Sequence, residues 1–141
     1  MAHAGQEFEG PGGFRLRLIR TAAETNGELL EMEATYGGGG QLPPAHLHPS
    51  QVERFEVLEG AVRTVIDGEE RRHETGDSFE VGAGVAHQMT GDGPARVNWQ
   101  DRPALRTAEF FERLYAAIDA GGEDVPAVCE QFREEIRLTG V

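Results

Sequence analysis

Between residues 14 and 100 the chain is cut into short alternating runs, separated by glycine, asparagine and aspartate turns, and this rhythm leaves few architectures open. Phe14-Arg-Leu-Arg-Leu-Ile19 alternates apolar and basic residues, the two-residue period of a half-buried strand. Leu30, Met32, Ala34 and Tyr36 alternate in the same way with Glu31, Glu33 and Thr35, giving one inner face and one acidic outer face. Further strands are expected at 52–59, 62–66, 69–74, 78–81, 87–90 and 95–100. Asp67-Gly68 is the strongest hairpin signal, and Asn26-Gly27 marks a second turn of hairpin type. Strands this short, broken about every ten residues, point to a sandwich or barrel.

After Pro103 the period changes. Thr107 is placed to cap a helix carrying Phe110, Phe111, Leu114, Tyr115 and Ile118 at helical spacing. Gly121-Gly122 ends it, and Asp124 with Pro126 starts a second helix, expected to run to Leu138 with Val128, Phe132 and Ile136 on its inner face. The aromatic seam is expected to clasp the barrel or a partner subunit. At 141 residues, with no repeat and no linker, the chain is expected to be one domain. Its β core would cover about 14–101 and its helices about 106–138.

A net charge of −12 repels phosphate backbones and anionic lipid, which argues against nucleic-acid or membrane-surface binding. No apolar run is long enough to span a bilayer and no apolar leader stands at residues 1–13, so a cytoplasmic location is expected. The single cysteine, Cys129, excludes an internal disulfide and reads as a small buried hydrophobe.

Chemistry concentrates between Gly40 and Gly60. His46 and His48 are two residues apart, so on extended backbone both imidazoles face the same way; Glu53 must rejoin them through a bend near Pro49. Two imidazoles and a carboxylate form a natural site for a first-row metal, and two inward histidines without a ligand would carry unpaired polar atoms. His87 is a fourth candidate. His3 and His73 read as surface residues, His73 because it lies in the charged run 69–74. Gly37 to Gly40 would form a mobile rim leading into the histidines.

Residues 40–60 match the first cupin motif, G-x5-H-x-H-x4-E-x6-G, at every position, and residues 76–91 resemble the second, keeping Gly76, Gly84 and His87. Gly82 stands where that family usually has proline and Gly91 where it usually has asparagine; both departures concern turns. The resemblance implies a mainly β, jelly-roll barrel with two C-terminal helices. It implies that His46, His48, Glu53 and His87 bind one divalent transition metal (Fe, Mn, Ni, Cu, Co or Zn), with positions left open for substrate, water or oxygen.

On strand alternation Met32, Tyr36, Phe55, Phe79, Met89 and Trp99 are candidates for the pocket wall, and Gln41 and Gln51 for polar groups at its mouth. An apolar, aromatic pocket suits a small organic molecule. Three functions are expected, in this order: an oxidoreductase of dioxygenase type; a non-redox lyase, isomerase or cyclase; and a non-catalytic small-molecule-binding module. A homodimer is expected because strand edges and an aromatic helix seam both need covering.

Overall fold

The computed structural model describes residues 2–38 and 41–139. Its first strand, β1 (Glu7–Glu9), leads through a 3-10 turn at Pro11–Gly13 into β2 (Arg15–Arg20). Next come the single-turn helix α1 (Ala22–Thr25), β3 (Leu30–Tyr36) and the two-residue β4 (His46–Leu47). The central run is β5 (Val52–Glu59), β6 (Ala61–Ile66), β7 (Glu69–Glu74), β8 (Ser78–Val81), β9 (His87–Gly91) and β10 (Ala95–Arg102). Helices α2 (Thr107–Asp119) and α3 (Val125–Gln131) and a last short strand, β11 (Arg137–Leu138), complete the chain.

The strands form two facing sheets, ordered β1-β2-β3-β10-β5-β8 and β11-β4-β9-β6-β7, all paired antiparallel. This is a jelly roll, mainly β, although hydrogen bonding does not close the two sheets into one cylinder. Register follows from alternation: a one-residue slip would turn the inner face of β3 outward. The outer faces agree with it, since Arg17 and Arg20 of β2 donate to Glu33 and Glu31 of β3 at 3.2 and 2.8 Å. Asp67 and Gly68 both take positive φ (51° and 79°), so the β6–β7 hairpin forms where the sequence indicates.

Two apolar clusters fill the molecule. Phe55, Val57, Val62, Val81, Ala95 and Val97 close one end of the space between the sheets. In the other cluster β2 and β3 carry Leu16, Leu18, Leu30, Met32 and Ala34 against Phe110, Phe111, Val128, Phe132 and Ile136 of the C-terminal segment. The aromatic seam thus clasps the chain's own β core, one of the two placements expected for it. Cys129 is buried in the same cluster, and burial pushes its thiol pKa up.

Four local expectations change. Asn26-Gly27 does turn the chain between β2 and β3, which pair antiparallel, with both residues at positive φ (55° and 80°), but the connection is longer than a two-residue hairpin. Thr21 and Glu24 form a reciprocal cap that winds residues 22–25 into a helical turn, which Asn26 closes at φ 55°. Thr107 begins α2 but does not cap it, because its hydroxyl accepts a 2.9 Å hydrogen bond from Gln51. The last helix stops at Gln131, well short of Leu138, because Arg137 and Leu138 pair with Leu47 and His46 as a sheet edge. His73 is half-buried instead of solvated: its ring stacks on Phe79 at 3.9 Å and its Nε2 meets the Thr64 hydroxyl at 2.9 Å. His3 is exposed.

Candidate metal centre and its cavity

The three histidines come from one sheet and the glutamate from the other. His46 opens β4 and His87 opens β9, where the two are directly paired, and His48 follows one residue after β4. Glu53 lies on β5 of the facing sheet, so the bend at Pro49 carries the chain across the molecule and not back onto the same face. The residues thus converge across the interior, where the sequence had suggested one side of a sheet.

Each imidazole is held from behind by a backbone carbonyl. His46 Nδ1 meets Pro44 O at 3.2 Å, His48 Nδ1 meets Glu135 O at 2.8 Å, and His87 Nδ1 meets Val85 O at 2.9 Å. A carbonyl only accepts, so Nδ1 carries a proton in all three rings, and Nε2 is the atom each neutral ring would offer as a ligand. One ligand atom from each ring fits within 4.8 Å of the others. Glu53 Oε1 lies 3.1 Å from His48 Nε2 and 2.9 Å from His87 Nε2.

The donor set fits a divalent ion. His48 Nε2 and Glu53 Oε1 are buried and close together, yet neither has a properly directed hydrogen-bond partner. Buried polar atoms left in that state are costly, and a shared cation would satisfy both. Nitrogen and carboxylate donors suit the first-row metals.

Charge in the cluster is divided. Burial, helped by the two neighbouring imidazoles, pushes the pKa of His46 down to about 4, so this ring is neutral. Burial would also lower His48, but the Glu53 carboxylate overrides it and raises the value. Burial would raise Glu53, yet His48, His87 and Asp101 together hold it well below the usual carboxylate range.

Two acids that the sequence reading did not single out complete the surroundings. Asp101 on β10 pairs across the strands with Glu53 and is 0% exposed. Burial and the Glu53 charge push its pKa well above the usual carboxyl range. Trp99 Nε1–H donates to Glu53 Oε2 at 2.7 Å and to Asp101 Oδ1 at 2.9 Å, tying the two carboxyl groups together. Asp101 was discoverable: it continues the Val97–Trp99 alternation and so points inward. Glu135, 2% exposed, supplies the carbonyl behind His48, while its side chain accepts from the Arg106 backbone N–H at 3.3 Å. Only its spacing of three from Phe132 hinted at burial.

The cluster opens into a cavity of about 620 Å³. Tyr36, Gln41, Phe55, Met89 and Trp99 line it, as does much of the inner side of α2. Three proposed wall residues lie elsewhere. Met32 is enclosed with Leu16 and Leu18 beneath the helices. Phe79 is stacked between Phe55 and His73 at the filled end of the sandwich. Gln51 turns its amide away from the cavity, onto Pro103 O, Ala104 O and Thr107 Oγ1. At the rim, Gly37 lies so close to Gly12 and Gly13 that a Cβ would strike the Gly12 carbonyl, which anchors this end of the glycine run. Gly39 and Gly40, the rest of the expected rim, lie outside the described residues. No helix among the described residues is long and apolar enough to cross a membrane.

Comparison with known proteins agrees with the fold. Residues 32–100 match a family model described as a cupin domain. Over 75 residues the chain is 29% identical to quercetin 2,3-dioxygenase of Bacillus subtilis (strain 168), an overlap of 53% of this chain and 22% of that protein. The chain thus spans about a fifth of that relative. Among solved structures it is similar to ectoine synthase from P. lautus (TM-score 0.62, 15% identity, 77% of each chain). It is also similar to an RmlC-like cupin from Shewanella frigidimarina (TM-score 0.59, 20% identity, 73% of this chain and 87% of that one). KdgF from Halomonas sp. aligns with a TM-score of 0.58 at 21% identity, over 67% of this chain and 82% of that one. At these identities the structural likeness speaks for the fold alone.

Proposed function

We propose that this chain, which belongs to the cupin superfamily, is a metal-dependent enzyme acting on a small aromatic or enolic molecule, with oxidoreductase chemistry of dioxygenase type. One observation carries the reading. Three Nε2 lone pairs and a buried carboxylate converge at the floor of a largely apolar cavity, each imidazole fixed from behind by a backbone carbonyl. The partial similarity to quercetin 2,3-dioxygenase favours oxygen chemistry among the reactions such a centre supports.

His46, His48, His87 and Glu53 would hold the ion. Once bound, a divalent transition metal supplies Lewis acidity and, if redox-active, a means of coupling an electron-rich substrate to oxygen. The protein's own contributions follow from its contacts. Trp99 keeps Glu53 Oε2 occupied, which turns Oε1 toward the imidazoles. Asp101, its pKa pushed up by burial and by Glu53, resists becoming a second buried negative charge. The aromatic walls exclude water from the floor of the cavity and leave a flat ligand free to lie against them.

Metal analysis of protein purified without added metal, followed by oxygen-uptake assays with flavonols and other enolic aromatics, tests the proposal. Bound iron, copper, manganese, nickel or cobalt together with substrate-dependent oxygen consumption is the expected result. Turnover of the same compounds without oxygen would replace the dioxygenase reading with a Lewis-acid one. A protein that takes up no metal, or loses none when His46 and Glu53 are both replaced by alanine, would overturn the metal centre altogether.

A further inference from the structure

The C-terminal segment decides what reaches the centre. Helix α2 contributes Phe110, Phe111, Leu114, Tyr115 and Ile118 to the cavity, and Phe14 faces them from the N-terminal side. The volume of about 620 Å³ is that of a pocket for a drug-sized molecule. Among the described residues lining it there is no lysine and no arginine; the ionisable side chains that stand out are the histidines, Glu53 and Glu135.

Both of those carboxylates are taken up by the imidazole cluster and the C-terminal segment: Glu53 faces His48 at 3.1 Å, and Glu135 Oε1 has the Arg106 guanidinium 3.7 Å away. Arg106 is itself engaged, lying over the Phe132 ring at 4.8 Å from its centre. An anionic ligand would therefore give up its water and meet no free cation along the aromatic walls.

We infer that the chamber beside the imidazole cluster selects a flat, largely apolar ligand that is uncharged in solution, and that its aromatic walls turn away carboxylates and phosphates of equal size. Any oxygen of the ligand that becomes anionic does so only where it meets the ligand cluster. This inference rests on reading the cavity as the substrate site.

Isothermal titration of chelated protein near neutral pH with 2-naphthol and 2-naphthoate tests it. Naphthol is expected to bind more tightly than naphthoate by about tenfold or more. Leu114→Arg and Ile118→Lys each place a cation in the half-buried wall of α2 and should reverse the order of naphthol and naphthoate. Two variants guard against one failing to fold. Naphthoate binding as tightly as naphthol, or naphthol failing to bind at all, would overturn the inference. Metal content is measured before chelation and after reloading: a protein that carries no metal as purified and takes none up, yet prefers naphthol, refutes the proposed function and leaves the chamber's selectivity standing.

Discussion

Trp99→Phe tests whether the indole orients the centre's carboxylate. The substitution keeps an aromatic ring between Phe55 and Phe111, whose centroids lie 5.5 and 5.6 Å from that of Trp99. It removes one N–H, which serves Glu53 Oε2 at 2.7 Å and Asp101 Oδ1 at 2.9 Å. A hydrogen bond to a charged, buried acceptor contributes about 1.5–3 kcal/mol, and the smaller ring loses about 1 kcal/mol of packing. The sum is about 2–4 kcal/mol, which for a domain of this size lowers Tm by about 5–15 °C. Thermal unfolding of chelator-treated protein, followed by circular dichroism, reads this part. Competition with a metal-binding dye reads the second consequence, a loss of metal affinity of about 10–100-fold, because Glu53 is then free to turn. Packing loss alone would lower Tm and leave metal affinity intact. An unchanged affinity would therefore refute the claim that the indole positions Glu53, whatever happens to Tm.

Four further outcomes follow from the structure. Gln51→Ala should destabilise the protein by about 2–4 kcal/mol in urea unfolding, since it strips Pro103 O, Ala104 O and Thr107 Oγ1 of a buried donor; a loss below about 1 kcal/mol would contradict that. His46, with its folded pKa lowered to about 4, favours the neutral ring, so its contribution is present above the unfolded value near 6.5 and is lost as pH falls toward 4. This is on the order of 2 kcal/mol, because the ring keeps an edge toward solvent, and His46→Ala should flatten the acid limb of stability against pH in chelated protein. His48, raised, works in the opposite sense: its contribution is present at low pH and lost as pH rises above 6.5, so a His48→Ala variant should not flatten the acid limb. Cys129, buried with its thiol pushed up, should resist iodoacetamide in the native state and react once denaturant is added; prompt labelling of native protein would contradict its burial.

Local alternation carried most of the architecture. The inner faces of β2, β3, β5 and β10 could be read directly because each period-two pattern has polar residues on its outer side. The histidines and Glu53 were legible through their spacing, but the sheet each belongs to was not, since alternation describes one strand and says nothing of which strand faces it. The same limit explains Gln51, which alternation placed near the pocket and which tertiary packing turns toward the start of α2. Residues 132–138 misled for a different reason. Phe132 and Ile136 keep helical spacing and both are buried, yet a two-residue strand pairing decides the backbone there. Glu135 stood in an acidic run that looks solvated, and only the fold brings it behind His48.

The pairing of β11 with β4 has a consequence for the order of biosynthesis. Leu138 lies beside His46, Thr139 donates to Ala45 O at 3.0 Å, and Glu135 provides the acceptor for His48. A nascent chain still lacking these residues can form its central strands but has no carbonyl behind the His48 ring and no strand on the outer edge of His46's. On the proposed function, metal capture would then follow release of this segment from the ribosome, and truncated translation products would be poor scavengers of cellular metal.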